Sequence, residues 1–259
     1  MMEHALFLPT RAIPDPLPDG YDRLYCGIEF CERLLPRPAR VLELAAAAQA
    51  SGLAFTLVTP FLTDAGLPAA EALVDALALR GLAFEVVIND WGLLHRLSGR
   101  SLHLALGRLL CRQKRGPRIL DLVLPPTAFR HFRMAGADAP HQRALLDALG
   151  VGRIELDNLL QGIARPPGAL PASLYYPYCY VTTTRLCRSL YGEKRSTGYR
   201  SIGPCGEVCR NHLFALRHRT MPRPLLLRGN TQFVEHRELP EELEALGIDR
   251  LVHQPEPPI

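Results

Sequence analysis

The sequence predicts a (β/α) barrel, irregular or incomplete, with a cysteine-bearing loop insertion. Three observations lead there. Short continuous apolar runs alternate with helical patterns along most of the 259 residues, the mark of a parallel sheet covered by helices. About eight such units fit this length, which favours a closed barrel over an open sheet. Neither G-x-G-x-x-G after the first strand nor G-x-x-x-x-G-K-[ST] anywhere is present, so a nucleotide-binding open sheet loses ground.

Arg23–Ile28 reads as the first strand. Pro36–Ala50 follows as a helix, with prolines at its start, Leu/Ala periodicity and Gly52 after its end. Leu53–Thr59 is a continuous apolar strand, and Leu67–Leu79 a helix closed by Gly81. Phe84–Ile88 is a third strand, running into Asn89-Asp90-Trp91-Gly92 and a short helix. Leu102–Leu106, Arg153–Leu156 and Leu174–Val181 are the fourth to sixth strands, with weaker strands at Pro224–Leu227 and Asp249–Val252. His141–Leu149 and Glu241–Leu246 are further helices. Arg112–Gly136 and Ser189–Pro204 interrupt the alternation, and loops that long are usually functional. The whole chain, 1–259, is expected to form one barrel-like domain holding a functional segment, 179–210.

Composition is that of a folded globular protein, with 47% hydrophobic and 22% charged residues. No apolar run reaches the roughly 18 residues of a membrane span, and the first residues lack a secretory leader. A cytoplasmic location is expected. Seven cysteines in a reducing compartment suggest metal ligands or catalytic thiols rather than disulfides. The formal charge of +4 is uneven: ten Lys or Arg against two acids fall between Arg185 and Arg228. Such a stretch attracts an anion, whether a small acid, a phosphate or RNA, or is simply a solvated basic loop.

Four cysteines lie in Cys179-x7-Cys187-x17-Cys205-x3-Cys209, two in Cys26-x4-Cys31, and Cys111 stands alone. Thiolates suit zinc and iron–sulfur clusters, usually four at a time. Gly203-Pro204-Cys205-Gly206-Glu207-Val208-Cys209 combines a tight turn with an i, i+4 pair that shares one face if a helix begins there. Cys31 follows strand one and Cys187 strand six, so a barrel would deliver both to its C-terminal face. Cys26 and Cys179 lie within strands and read as packed thiols, as does Cys111; Cys179 and Cys31 both remain open as a fourth ligand. Structural zinc usually shows paired Cys-x2-Cys knuckles. None occurs here, so iron is favoured over zinc.

At these residues the sequence resembles the collagenase-like peptidase-U family. Leu24-Tyr25-Cys26-Gly27-Ile28-Glu29-Phe30-Cys31 is similar to the first strand of the smaller protein of a pair from anaerobic ubiquinone biosynthesis, and Val86–Gly92 to its third-strand exit. Cys187, Cys205 and Cys209 resemble its cluster region. The resemblance runs from about Asp22 to Asn230 and implies a four-iron, four-sulfur cluster on Cys31, Cys187, Cys205 and Cys209. Cys179 is the alternative, although most members carry a Cys-x6-Cys pair where this chain has x7. It also implies oxygen-independent hydroxylation or related redox chemistry, a partner that is a paralogue of the same family, and a small anionic substrate or oxygen donor. Some branches of the family hydroxylate RNA.

Asn89 and Asp90 end strand three, Glu155, Asp157 and Asn158 end strand five, and Arg185 approaches from strand six with Thr182, Thr183 and Thr184. Asn89, Asp90, Asn158 and Arg185 are therefore expected to bind a polar anionic substrate. Asp90 and Asp157 could equally cap the helices that follow. Two other roles compete with a redox enzyme or subunit: a non-catalytic partner stapled by a cluster or zinc, and an RNA-binding module with Tyr191, Tyr199 and Phe214 among its basic residues. Neither G-x-S-x-G nor H-E-x-x-H occurs, so peptidase activity is not expected.

Overall fold

Eight parallel strands close into a barrel in the ring order β1-β12-β7-β6-β5-β4-β3-β2. The structure is a computed structural model that describes residues 1–9, 18–191 and 205–259. The barrel strands are β1 (Glu3–Pro9), β2 (Arg23–Gly27), β3 (Ala54–Val58), β4 (Glu85–Ile88), β5 (His103–Leu106), β6 (Val151–Asp157), β7 (Ala172–Tyr176) and β12 (Ile248–His253). Between β7 and β12 the chain builds a second sheet from β8 (Tyr178–Thr183), β9 (Phe214–Leu216), β10 (Leu225–Arg228) and β11 (Thr231–Glu235). Its order is β8-β11-β10-β9, antiparallel throughout.

Side chains alternate across each strand. Leu24 and Cys26, Phe55 and Leu57, Val86 and Ile88, and Leu104 and Leu106 face outward into one continuous apolar core. The core is completed by α1 (Pro38–Ala50), α2 (Leu67–Leu79) and α3 (Trp91–Leu97). Leu73, Val74 and Leu77 of α2 are buried there, each worth about 1.5–3 kcal/mol of transfer free energy. Helices α4 (Pro126–Arg133) and α5 (Pro140–Ala148) connect β5 to β6, and α6 (Arg188–Tyr191) is a single turn after β8. Among the described residues no helix is long and apolar enough to cross a membrane.

The inward positions stack in layers. Ala5, Phe7, Tyr25, Val58, Val87, Ala105, Tyr175 and Val252 fill the middle. The layer at the strands' N-terminal ends is polar: Arg250 donates to Glu3 (2.5 Å), Glu85 (2.7 Å) and the Tyr25 hydroxyl (2.6 Å).

Several expected elements differ. The first barrel strand is β1, so Arg23–Ile28 supplies the second. The single strand expected over Leu174–Val181 is two, divided at Pro177, one in each sheet. Pro224–Leu227 corresponds to β10, outside the barrel. Glu241–Leu246 forms turns ending at Gly247, whose φ of 64° reverses the chain into β12. The Arg112–Gly136 interruption contains α4. Most of Ser189–Pro204 lies outside the described residues.

Candidate metal centre

Three pieces of chain build the site. The first leaves β2 at Gly27, whose φ is 147°. A Cβ there would run into the Val58 carbonyl oxygen, so only glycine lets β2 pair so closely with β3 at this point. The Ile28 N–H then donates to the same carbonyl (3.1 Å). Cys31 stands before a short 3-10 turn, Glu32–Leu34, and its carbonyl accepts from the Leu34 N–H. Glu32 reaches across to the Thr63 N–H (2.6 Å).

The second piece is the exit of β8. Cys187 precedes α6, so it issues from the second sheet and not from a barrel strand. The third piece carries Cys205 and Cys209. No α-helix begins between them: Glu207 takes a left-handed conformation (φ 52°), and Cys209 sits in a 3-10 turn, Val208–Arg210. The pair is thus presented by a reversal of the chain instead of a helical face.

Cys31, Cys187, Cys205 and Cys209 all line one cavity of about 80 Å³ at the side of the barrel rim, with Phe30, Leu34, Phe61 and Ile259 as its apolar walls. Cys209 is buried and the other three partly so. Burial, then the charges of Cys187, Cys31 and Cys205, push the Cys209 thiol up to about 11. Burial raises Cys31 as well, with Cys205 and Cys187 adding to it. No disulfide joins any of the seven cysteines.

Among the described residues no group of three or more His, Cys, Asp or Glu is arranged to hold a metal ion. Four soft sulfur donors around an apolar cavity are nevertheless of the kind that zinc and iron–sulfur clusters use.

The remaining cysteines lie elsewhere. Cys179 is buried in β8 against Leu159, Leu225 and Val234, and burial holds its thiol well above the usual range. It does not line the cavity of the other four. Cys26 and Cys111 belong to the main apolar core.

Of the four residues expected to bind substrate, Arg185 lines the cavity. It donates to the Leu62 carbonyl (2.7 Å) and lies over the Phe61 ring. Asn89 is buried, donating to the Thr59 carbonyl and accepting from the Leu109 N–H. Asp90 caps α3 through the Leu93 N–H and also accepts from the Leu62 N–H. Asn158 donates to the carbonyls of His236 and Glu238. These three brace the rim and are not among the residues lining the thiol cavity. Asp157 caps no helix: it accepts from Arg108 (2.7 Å) and Arg115 (2.8 Å) in a buried ion network. Of the three aromatics expected on RNA, Tyr199 lies outside the described residues, and Phe214 is exposed and stacked on His212.

Arg108 was not legible as important in the sequence. Fully buried, it donates twice to Glu29 (2.9 and 2.5 Å) and lies over the Tyr175 ring at 4.1 Å. Glu29 follows β2 and Asp157 ends β6, on opposite sides of the ring, so the guanidinium fills the centre of the mouth. The thiol cavity lies to one side of this plug, between the rim and the second sheet.

No family model matches the chain, and no curated protein matches it. Two solved structures are similar to it. One is the U32 peptidase Mk0906, over 100% of this chain and 95% of that one, at 14% identity and a TM-score of 0.46. The other is a dihydropteroate synthase (FolP) from Thermus thermophilus, over 67% of this chain and 71% of that one, at 16% identity and a TM-score of 0.36. At these values neither likeness says what this chain binds or does.

Proposed function

We propose that this chain is an iron–sulfur protein that holds a four-iron, four-sulfur cluster on Cys31, Cys187, Cys205 and Cys209. One observation carries the reading: thiols from three separate stretches of chain line a single cavity. Packed structural cysteines have no need to converge, and Cys26, Cys111 and Cys179 do not join them. When bound, such a cluster supplies one-electron transfer. Oxygen-independent hydroxylation, the activity that the sequence resemblance implies, is one use of it, by this chain alone or as a subunit of a complex.

The chain's own residues would shape what reaches the cluster. Phe30, Leu34, Phe61 and Ile259 keep the cavity apolar, which limits water around the thiolates. Arg33 and Arg185 bring positive charge to the same wall, suited to a small anionic substrate or oxygen donor.

Purification under argon tests the reading. The expected product is brown, absorbs broadly near 400 nm, and carries about four iron and four sulfide per chain. A colourless protein with one zinc per chain would overturn it.

A further inference from the structure

We infer that the Arg228-Gly229-Asn230 turn between β10 and β11 is the positioning device of the thiol site, holding all three cysteine-bearing stretches at once. The inference rests on the cluster reading above.

Together the three residues of the turn reach all three stretches. The Asn230 amide nitrogen donates to the Phe30 carbonyl (2.5 Å), next to Cys31, and to the Thr184 carbonyl (2.7 Å), three residues before Cys187. Its two hydrogens thus tie the β2 exit to the β8 exit, while its oxygen accepts from the Thr231 hydroxyl. The Gly229 carbonyl accepts both the N–H and the hydroxyl of Ser189, two residues after Cys187. Arg228 donates through Nε to the carbonyl of Cys209 itself (3.1 Å). Its Nη1 donates to the Pro257 carbonyl and pairs with Glu256.

Gly229 also sets how close the third stretch can come. Its φ is 61°, and an added Cβ would lie 3.1 Å from the Cys209 Cβ and 3.7 Å from its sulfur. Glycine therefore serves twice, for the left-handed turn and for the approach of Cys209. Asn230 and Arg228 are buried, so these bonds do not compete with bulk water. None of the three stretches carries a regular element longer than one turn beside its cysteine, and the hairpin supplies the rigidity they lack.

The experiment compares wild type with Asn230→Ala, Arg228→Lys and Gln161→Ala, all purified under argon. Arg228→Lys keeps the charge beside Glu256 but loses the Nε donor. Gln161 is the control: a buried amide that likewise ties two backbone carbonyls, Lys114 and Phe132, away from the thiol cavity. Iron release to a chelator is timed at a temperature where circular dichroism shows every apoprotein folded. Release from Asn230→Ala and Arg228→Lys is expected to be about tenfold faster or more, as losing a buried hydrogen bond to a positioned group predicts, and from Gln161→Ala to match wild type. Equal release from all four proteins would overturn the positioning role, as would equal acceleration in the control. If Asn230→Ala does not fold, the comparison of Arg228→Lys with the control decides alone. A wild type that binds no iron would instead remove the cluster reading beneath.

Discussion

Glu155 is a carboxyl placed where a charge is costly. It is fully buried inside the barrel and accepts from the Ser173 hydroxyl at 3.0 Å, while its second oxygen has no partner. Burial, then the charge of Glu85, push it up to about 7. A carboxyl raised in the fold favours the native state in its protonated form. Its stabilising contribution is complete below about pH 4.5 and is lost as pH rises through 7. The whole effect is on the order of 3 kcal/mol. Urea denaturation of wild type and Glu155→Gln across pH 4.5–8 should show the wild type losing stability relative to the variant as pH rises; parallel curves would contradict this. The sequence set Glu155 beside Asp157 and Asn158 at the mouth end of its strand but did not show it buried inside the barrel, because Arg153–Leu156 reads as a strand whichever face Glu155 occupies.

At the scale of elements, strands and helices were legible where one force dominated. Helix α2 matches its expected span, Leu67–Leu79, because its apolar stripe and the glycine after it agree. Strand β1 was not among the expected elements: it opens on Glu3, which pairs with Arg23 and Arg250, and its apolar run, residues 5–9, is short. Strands β7 and β8 were fused into one because no apolar pattern marks where a chain changes sheets. The mouth of the barrel shows the same limit. Arg108 joins the exits of β2 and β6, two elements with no local relation. Arg108→Met should remove the cation between Glu29 and Asp157 and cost about 3–5 kcal/mol, as for one partner lost from a buried pair, read as a lowered urea midpoint. A midpoint within about 1 kcal/mol of wild type would show that Arg115 alone satisfies Asp157 and that Glu29 has become protonated at little cost.

Across the whole molecule, the sequence carried the donors but not the reason they meet. Spacing singled out Cys187, Cys205 and Cys209, and the resemblance chose Cys31 over Cys179. Convergence depends on a four-stranded sheet of which only parts of β8 and β10 were expected, and on a turn whose Asn230 reads as an ordinary loop residue. Barrel topology alone would not bring Cys187 to the rim, since it issues from β8 of the second sheet. The most direct test is iron and sulfide analysis of single Cys→Ala variants purified under argon. Changes at 31, 187, 205 and 209 should each lower iron well below about four per chain, while changes at 26, 111 and 179 leave it near the wild-type value. Full iron in the Cys31 variant, or its loss in the Cys179 variant alone, would contradict a cluster held in this cavity.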